Sequence, residues 1–316
     1  MDIARELLEK AMEWERTRDA VRAVESGPGA RVATTPVMVP LLAAVLYRAL
    51  GGPLVVASAA GAATLAGDID CFIPGEAFHL PGAGPGGDWL RPYDEVVGAR
   101  LKAARALCQG NVAVVGVEAL AGGVPQRLPE PWPLNFATGD ELDLPRVLRL
   151  LVDGGYEREY TVDGWGRFAL RGGILDVFPS TADRPVRIEL LGDRIESIRE
   201  FNVVSQRSGA PVDTVEVFPA SDRSGAWQSE AGERRRAPLE GARVLAVDPV
   251  VIEAGATEFA AETGLELPGE GVLPRWGEVV ALDTMGGAPG APAFPGAAAR
   301  EFRGDLEAAA RAWSGR

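Results

Sequence analysis

Lysine is the residue whose scarcity says most about possible chemistry in this chain. Of the 32 basic residues, only Lys10 and Lys102 are lysines. A P-loop needs Gly-Lys-Ser/Thr at the start of a helix, because its lysine neutralises the terminal phosphates of a bound nucleotide. Neither lysine follows a glycine or precedes a hydroxyl residue. The polypeptide therefore has no Walker A motif, and we expect no nucleotide hydrolysis by it.

The single histidine and the two cysteines limit nucleophilic and metal chemistry. His79 lies between Phe78 and Leu80, and no Gly-x-Ser-x-Gly elbow accompanies it, which is typical of a loop or strand-end histidine. Cys71 and Cys108 do not have the spacing of a zinc site or of a disulfide framework. We predict no catalytic residue, no cofactor and no bound metal.

One glycine-rich segment resembles a dinucleotide-binding motif. The segment 82–87 matches Gly-x-Gly-x-x-Gly, but it follows Leu-Pro instead of a strand and contains a proline. The motif binds a pyrophosphate only where it joins a strand to a helix. We interpret this segment as a surface loop.

Composition excludes several further classes. The formal net charge is −13, which disfavours a general nucleic-acid binder because phosphate affinity comes mainly from surplus lysine and arginine. The longest apolar run, Val37–Tyr47, is about half the length of a membrane span, and the acidic N-terminus is unlike a signal peptide. A cytoplasmic, reducing setting and no membrane partner are expected.

Two kinds of hydrophobic pattern follow one another along the chain. After a helical N-terminal segment, strand candidates alternate with helical stretches, which predicts a parallel α/β sheet. A series of short strands with tight turns then runs from Tyr156 to about Ala220, and a second α/β stretch resumes afterwards. The predicted strands are Arg31–Thr34, Leu54–Ala57, Asn111–Gly116, Glu159–Val162, Phe168–Arg171, Ile174–Phe178, Val186–Leu191, Ile195–Asn202, Thr214–Phe218 and Arg243–Val247. The predicted helices after the first are Val39–Leu50, Ala59–Ala66, Tyr93–Leu107, Leu144–Val152 and Asp305–Trp313.

Arginines gather in the β-rich block. From Tyr156 to Ser208 there are eight arginines and nine acids, so this span is nearly neutral in an acidic chain. Successive strand residues face opposite sides of a sheet. Phe168, Leu170, Val186, Ile188 and Leu190 are expected to pack on a core, which leaves the alternate positions on one exposed face. We name that face the arginine face; it comprises Arg167, Arg171, Arg187, Glu189 and Leu191.

The run Gly166–Pro179, Gly-Arg-Phe-Ala-Leu-Arg-Gly-Gly-Ile-Leu-Asp-Val-Phe-Pro, resembles a signature of the damage-recognition protein UvrB and of the bacterial transcription-repair-coupling factors (Mfd). The segments Pro185–Arg199 and Ser205–Ser208 are similar to the coupling factors specifically. Shorter segments at 100–107, 139–144 and 302–307 fit the same family. The similarity is dense from about Leu54 to Ala220.

This resemblance implies the family's N-terminal UvrB-homology module. It implies a discontinuous RecA-like α/β domain with a degenerate nucleotide site, interrupted by a β-rich α+β domain like domain 2 of UvrB, which docks the repair protein UvrA. The implied domains are an N-terminal helix at 1–30, the first α/β part at 31–132, the inserted UvrA-binding domain at 133–220, and a second, apparently truncated α/β part at 221–316.

The family's UvrA-contacting arginine pair corresponds to Arg171 and Arg187, with an apolar neighbour at Leu191, where the family often has an aromatic residue. Glu189 and Arg167 complete the expected binding set on the arginine face. In the family's full-length chains, other domains bind RNA polymerase and carry an ATP-dependent translocase for double-stranded DNA. A non-catalytic adaptor that recruits UvrA is thus the leading interpretation.

Three alternatives remain at the level of sequence. The chain could be part of a UvrB-like or helicase-type ATPase, a nucleic-acid-binding module, or an unrelated α/β protein. The missing P-loop lysine disfavours the first, and the net acidity disfavours the second. The third requires the β-block motif to be a coincidence.

Overall fold

The computed structural model describes residues 3–27, 29–82, 95–122, 131–220, 242–267, 269, 271–276 and 278–284. The chain divides into two compact units. The first, called the α/β unit, comprises residues 1–86, 103–126 and 235–316. The second, called the β-rich unit, comprises residues 87–102 and 127–234.

Helices and strands are numbered in chain order. The described α-helices are α1 Ile3–Met12, α2 Glu15–Glu25, α3 Val39–Leu50, α4 Ala62–Asp70, α5 Glu95–Cys108, α6 Val117–Gly122, α7 Leu144–Asp153 and α8 Pro249–Thr263. The described strands are β1 Arg31–Ala33, β2 Leu54–Ala57, β3 Ala77–Leu80, β4 Val112–Val115, β5 Leu134–Ala137, β6 Glu157–Arg158, β7 Arg167–Arg171, β8 Ile174–Phe178, β9 Val186–Leu191, β10 Arg194–Phe201, β11 Ser208–Pro211, β12 Thr214–Val217, β13 Arg243–Val247 and β14 Glu278–Asp283.

The α/β unit is built on a parallel sheet in the order β1-β14-β13-β2-β4-β3. Every residue of β2 and of β4 is buried, as expected for strands that helices cover on both faces. Helices α1 to α4 contribute to the core on one face, while α6, α8 and the end of α5 contribute to the core on the other. The expected parallel α/β region is therefore confirmed.

The β-rich unit contains a separate six-stranded sheet in the order β11-β10-β9-β8-β7-β6. Its pairs are antiparallel except β6 with β7. The turn between β7 and β8 is Gly172-Gly173. Gly172 has a φ of +60°, and a Cβ at Gly173 would lie 2.8 Å from the carbonyl oxygen of Leu190, so both positions suit glycine alone.

One face of this second sheet packs on α7 and on the two-stranded sheet β5–β12. Phe168, Val186 and Ile188 are buried there, and Leu170 and Leu190 pack against the same core. The alternation of apolar residues therefore predicted this core face correctly. The side chain of Asp143 caps α7 by accepting a hydrogen bond from the backbone N–H of Arg146 at 3.0 Å.

Several predicted elements differ from the structure. The N-terminal segment forms two helices, because Trp14 is extended (φ −65°, ψ 142°) and separates α1 from α2. The predicted strand Glu159–Val162 is wrong: the strand is Glu157–Arg158, and the chain then turns inward to bury Val162. Strands β3, β5, β11 and β14 were not predicted. The predicted final helix Asp305–Trp313, the polar segment 221–238, the weakly patterned segment 286–296 and most of the glycine-rich segment 82–87 lie outside the described residues.

The residues that could carry chemistry are scattered. His79 lies within β3, where burial lowers its pKa, in agreement with a structural histidine. Cys71 and Cys108 are unpaired thiols, and burial raises the pKa of Cys108. Within the described ranges, no group of three potential ligands could hold a metal ion, and no helix is both long and apolar enough to cross a membrane.

Candidate protein-interaction surface

The register of β7, β8 and β9 brings Arg171 and Arg187 to the same face of the sheet. Asp176 pairs with Ala169 on one side and with Arg187 on the other, and Ile174 lies between Arg171 and Glu189 in the adjacent row. Strand alternation places Leu191 on this face too, at the end of β9. The shared side of the two arginines, which was argued from residue parity, is thus found in the structure.

Asp176 links the two arginines. Its side chain is completely buried, in the middle of the otherwise apolar strand β8. Nη2 of Arg171 donates to Oδ2 at 2.7 Å. Nε and Nη2 of Arg187 donate to Oδ1 and Oδ2 at 2.7 and 2.9 Å. This carboxylate was not identified from the sequence, although an acid among the apolar residues of β8 is a signal that could have found it.

Arg187 is much less exposed than expected. Its side chain is only 13% exposed, and it lies over the Phe201 ring with 4.8 Å between the guanidinium carbon and the ring centroid. Nη1 is near the carbonyl oxygen of Gln206 at 3.2 Å and the hydroxyl of Ser208 at 3.3 Å. The hydrogen bond to Asp176 raises the pKa of Arg187 further. The expectation of a freely exposed guanidinium at Arg187 is therefore wrong.

A small second core explains this coverage. Val162, Ala169, Phe178 and Phe201 form a buried cluster on the arginine face, and Trp165 and Val203 pack against it. Gln206 connects the turn after β10 to the segment before β7, because its Nε2 donates to the carbonyl oxygens of Val162 and Val203 at 3.1 and 2.7 Å. Because this turn and the segment before β7 fold over the sheet, the part of this sheet face around Arg187 is interior.

The most exposed part of this face lies at the turns between β7 and β8 and between β9 and β10. Arg171 is 40% exposed, and within the described residues its one hydrogen-bonding partner is Asp176. Leu191 is 73% exposed and is one of several large apolar side chains that are exposed among the described residues. These two residues form the accessible part of the predicted set.

Glu189 and Arg167 are partly engaged. Oε2 of Glu189 accepts a hydrogen bond from the hydroxyl of Ser197 at 2.8 Å. Arg167 forms an ion pair with Asp163, and the hydrogen bond between them raises the pKa of Arg167. Both side chains are intermediate in exposure.

The charges of Arg171, Arg187 and the two acids closest to them in the strand register cancel. Arg171 and Arg187 contribute two positive charges, while Asp176 and Glu189 contribute two negative charges. A partner would therefore be attracted less by a broad positive field than by directional N–H donors on Arg171 and by the apolar surface of Leu191 on the same face. Such an arrangement suits a carboxylate or carbonyl acceptor beside an apolar pocket.

Comparison with known proteins identifies a family for most of the β-rich unit and relatives that align with part of the chain. Residues 134–222, which begin at β5 and extend past β12, match the family described as the UvrB interaction domain. A transcription-repair-coupling factor of Staphylococcus aureus (strain MSSA476) is 36% identical over 131 residues. Another, from Myxococcus xanthus, is 35% identical over 196 residues.

These matches cover only part of each protein. The aligned region is 40% of this chain and 11% of the S. aureus protein, and it is 56% of this chain and 16% of the M. xanthus protein. The family resemblance stated from the sequence is nevertheless confirmed in the part that contains the arginine face. Residues 134–222 thus match the UvrB interaction domain, and over part of its length the chain is similar to the bacterial transcription-repair-coupling factors.

Proposed function

We propose that this chain is a non-catalytic adaptor of transcription-coupled nucleotide excision repair that recruits UvrA through the β-rich unit. Arg171 and Leu191 make the direct contacts with UvrA. Arg187 helps to hold Arg171 through their shared partner Asp176, and Glu189 and Arg167 flank the contact residues. The observation that carries the proposal is that one sheet face of the matched domain presents both an exposed apolar side chain, Leu191, and a partly exposed arginine, Arg171, that is bound to a buried carboxylate. Arginine is one of the residue types enriched at the hot spots of protein interfaces.

The finer fold assignment belongs to the same proposal. The α/β unit is proposed to be a RecA-like domain with a degenerate nucleotide site, and the β-rich unit the counterpart of domain 2 of UvrB. The domain limits 1–30, 31–132, 133–220 and 221–316 follow from that assignment. Contacts with RNA polymerase and double-stranded DNA are proposed for full-length relatives only, and a cytoplasmic setting stays a prediction.

The test is titration calorimetry of the purified chain with purified UvrA. We expect saturable binding by the wild type and a roughly thirtyfold loss for Arg171→Ala, the equivalent of about 2 kcal/mol at a hot spot. Arg22→Ala is the matched control, since Arg22 is an exposed arginine of the α/β unit. It should bind like the wild type. Absence of binding by the wild type, or equal affinity of Arg171→Ala, would contradict the proposal.

A further inference from the structure

We infer that Asp176 is a positioning residue for UvrA recognition, acting through Arg171. The inference rests on the proposed function of the arginine face and adds to it a buried group that does not itself touch the partner. Asp176 has no exposed surface, so any influence on binding must pass through the side chains that it holds.

Arg187 is already committed inside the β-rich unit. Its Nε and Nη2 bind the two oxygens of Asp176 side by side, its Nη1 faces Gln206 and Ser208, and its plane covers the Phe201 ring. A guanidinium in this position gives Asp176 a fixed orientation, because a planar fork matches a carboxylate in one geometry. The pair is thus a rigid internal support.

Arg171 depends on that support. Its Nη2 binds Oδ2, the same oxygen that receives Nη2 of Arg187. The side chain of Arg171 is 40% exposed, and the residue ends β7 directly before the Gly172-Gly173 turn. Holding a long side chain in one arrangement before association lowers the ordering cost of binding. Without the buried carboxylate, the partly exposed side chain of Arg171 would sample more rotamers.

A double-mutant cycle with UvrA tests this chain of dependence. Asp176→Asn keeps the shape of the side chain but removes its charge and one acceptor. We expect about tenfold weaker UvrA binding for Asp176→Asn, and less than a twofold further effect when Asp176→Asn is added to Arg171→Ala. A merely structural role would instead give the same tenfold loss in both backgrounds, which would overturn the inference.

The matched control is Asp283→Asn in the α/β unit. Asp283 is also a largely buried carboxylate that binds an arginine, with Nε of Arg31 at 2.9 Å from Oδ2. We expect this variant to keep wild-type affinity for UvrA. If the wild type does not bind UvrA, the proposed function fails; if it binds and Asp176→Asn binds equally well, only the role of Asp176 fails.

A measurement on the wild-type chain covers the case in which Asp176→Asn does not fold. Nitrogen-15 relaxation of arginine Nε–H groups reports side-chain order on the picosecond-to-nanosecond timescale. We expect Arg171 to be clearly more ordered than Arg22, whose side chain is 74% exposed and lies 3.8 Å from an exposed acid. Equal mobility of Arg171 and Arg22 would refute a positioning role for Asp176.

Discussion

Replacing Arg187 by alanine should destabilise the β-rich unit far more than replacing Arg171. The two arginines share one acid and one face, but they differ in coverage: 13% of the Arg187 side chain is exposed, against 40% of Arg171. Arg187→Ala leaves Asp176 buried with Arg171 as its remaining charged partner. Arg171→Ala leaves both Arg187 hydrogen bonds to Asp176 in place.

The magnitude follows from these contacts. Removing one partner of a buried ion pair typically costs about 3–5 kcal/mol. Since Arg171 still binds Oδ2 at 2.7 Å, we expect the lower end, about 3 kcal/mol, with up to ~1 kcal/mol more from the lost contact with the Phe201 ring. Arg171→Ala removes one hydrogen bond from a half-exposed side chain, for which about 1 kcal/mol is appropriate after solvent screening. The two variants should thus differ by at least about 2 kcal/mol.

Native-state hydrogen exchange of the full chain, read by mass spectrometry, is the suitable assay because it separates the two units. Peptides from β7 to β10 should show a much lower opening free energy in Arg187→Ala than in Arg171→Ala, while peptides from β2 and β13 report the α/β unit as an internal reference. Equal protection of β7 to β10 in the two variants would show that Arg187 is not a structural member of the face. Our reasoning from burial and hydrogen bonding would then be refuted.

Two further predictions concern single side chains at other positions. Leu191→Ser should weaken UvrA binding roughly fivefold in calorimetry, because an apolar contact of about 1 kcal/mol with UvrA is lost. The thermal unfolding midpoint of the chain should stay unchanged, since Leu191 is 73% exposed. A lowered midpoint would indicate a packing role instead. His79→Gln should flatten the decline of stability at mildly acidic pH. Burial lowers the pKa of His79 in the folded chain, so at mildly acidic pH the unfolded chain binds a proton more readily than the folded chain does. The contribution of neutral His79 to the free energy of unfolding is therefore fully present above the ordinary histidine pKa of about 6.5. It is lost as the pH falls towards the lower pKa of the folded chain. Urea unfolding at pH 7.5 and 5.5 measures the difference, and an unchanged pH dependence in His79→Gln would contradict it.

An element was predicted correctly where the apolar residues and turn residues of its own short segment define it. Strands β8 and β9 have the predicted limits, because alternating apolar residues and tight glycine turns define both their period and their ends. The strand predicted at Glu159–Val162 failed since Val162 is buried in a tertiary cluster with Phe201, some forty residues later in the chain. Propensity within a short window contains no information about such a contact.

The same limit applies to the arginine face. Parity correctly placed Arg171 and Arg187 on one side of the sheet, because that property depends only on strand alternation. Whether that side is covered depends on the turn after β10, and on Gln206 in particular, which has a left-handed backbone (φ +56°) and bonds to a distant carbonyl group. Nothing in the residues around Arg187 predicts that closure. The acid within the apolar strand β8 marks Asp176 in the sequence, but its two arginine partners are known only once β7, β8 and β9 are paired.

The presence of a charged pair inside this small domain needs a reason beyond stability. Burying a carboxylate and a guanidinium costs desolvation energy that their attraction only partly offsets, and an apolar pair of similar volume often stabilises a fold equally well. Two apolar side chains at positions 176 and 187 could extend the neighbouring cluster of Val162, Ala169 and Phe201. They would offer no acceptor to Arg171, however, and its guanidinium would then be held only by solvent. The buried acid is therefore best explained by what it does for the exposed arginine, which connects the packing of the second core to the chemistry of the surface.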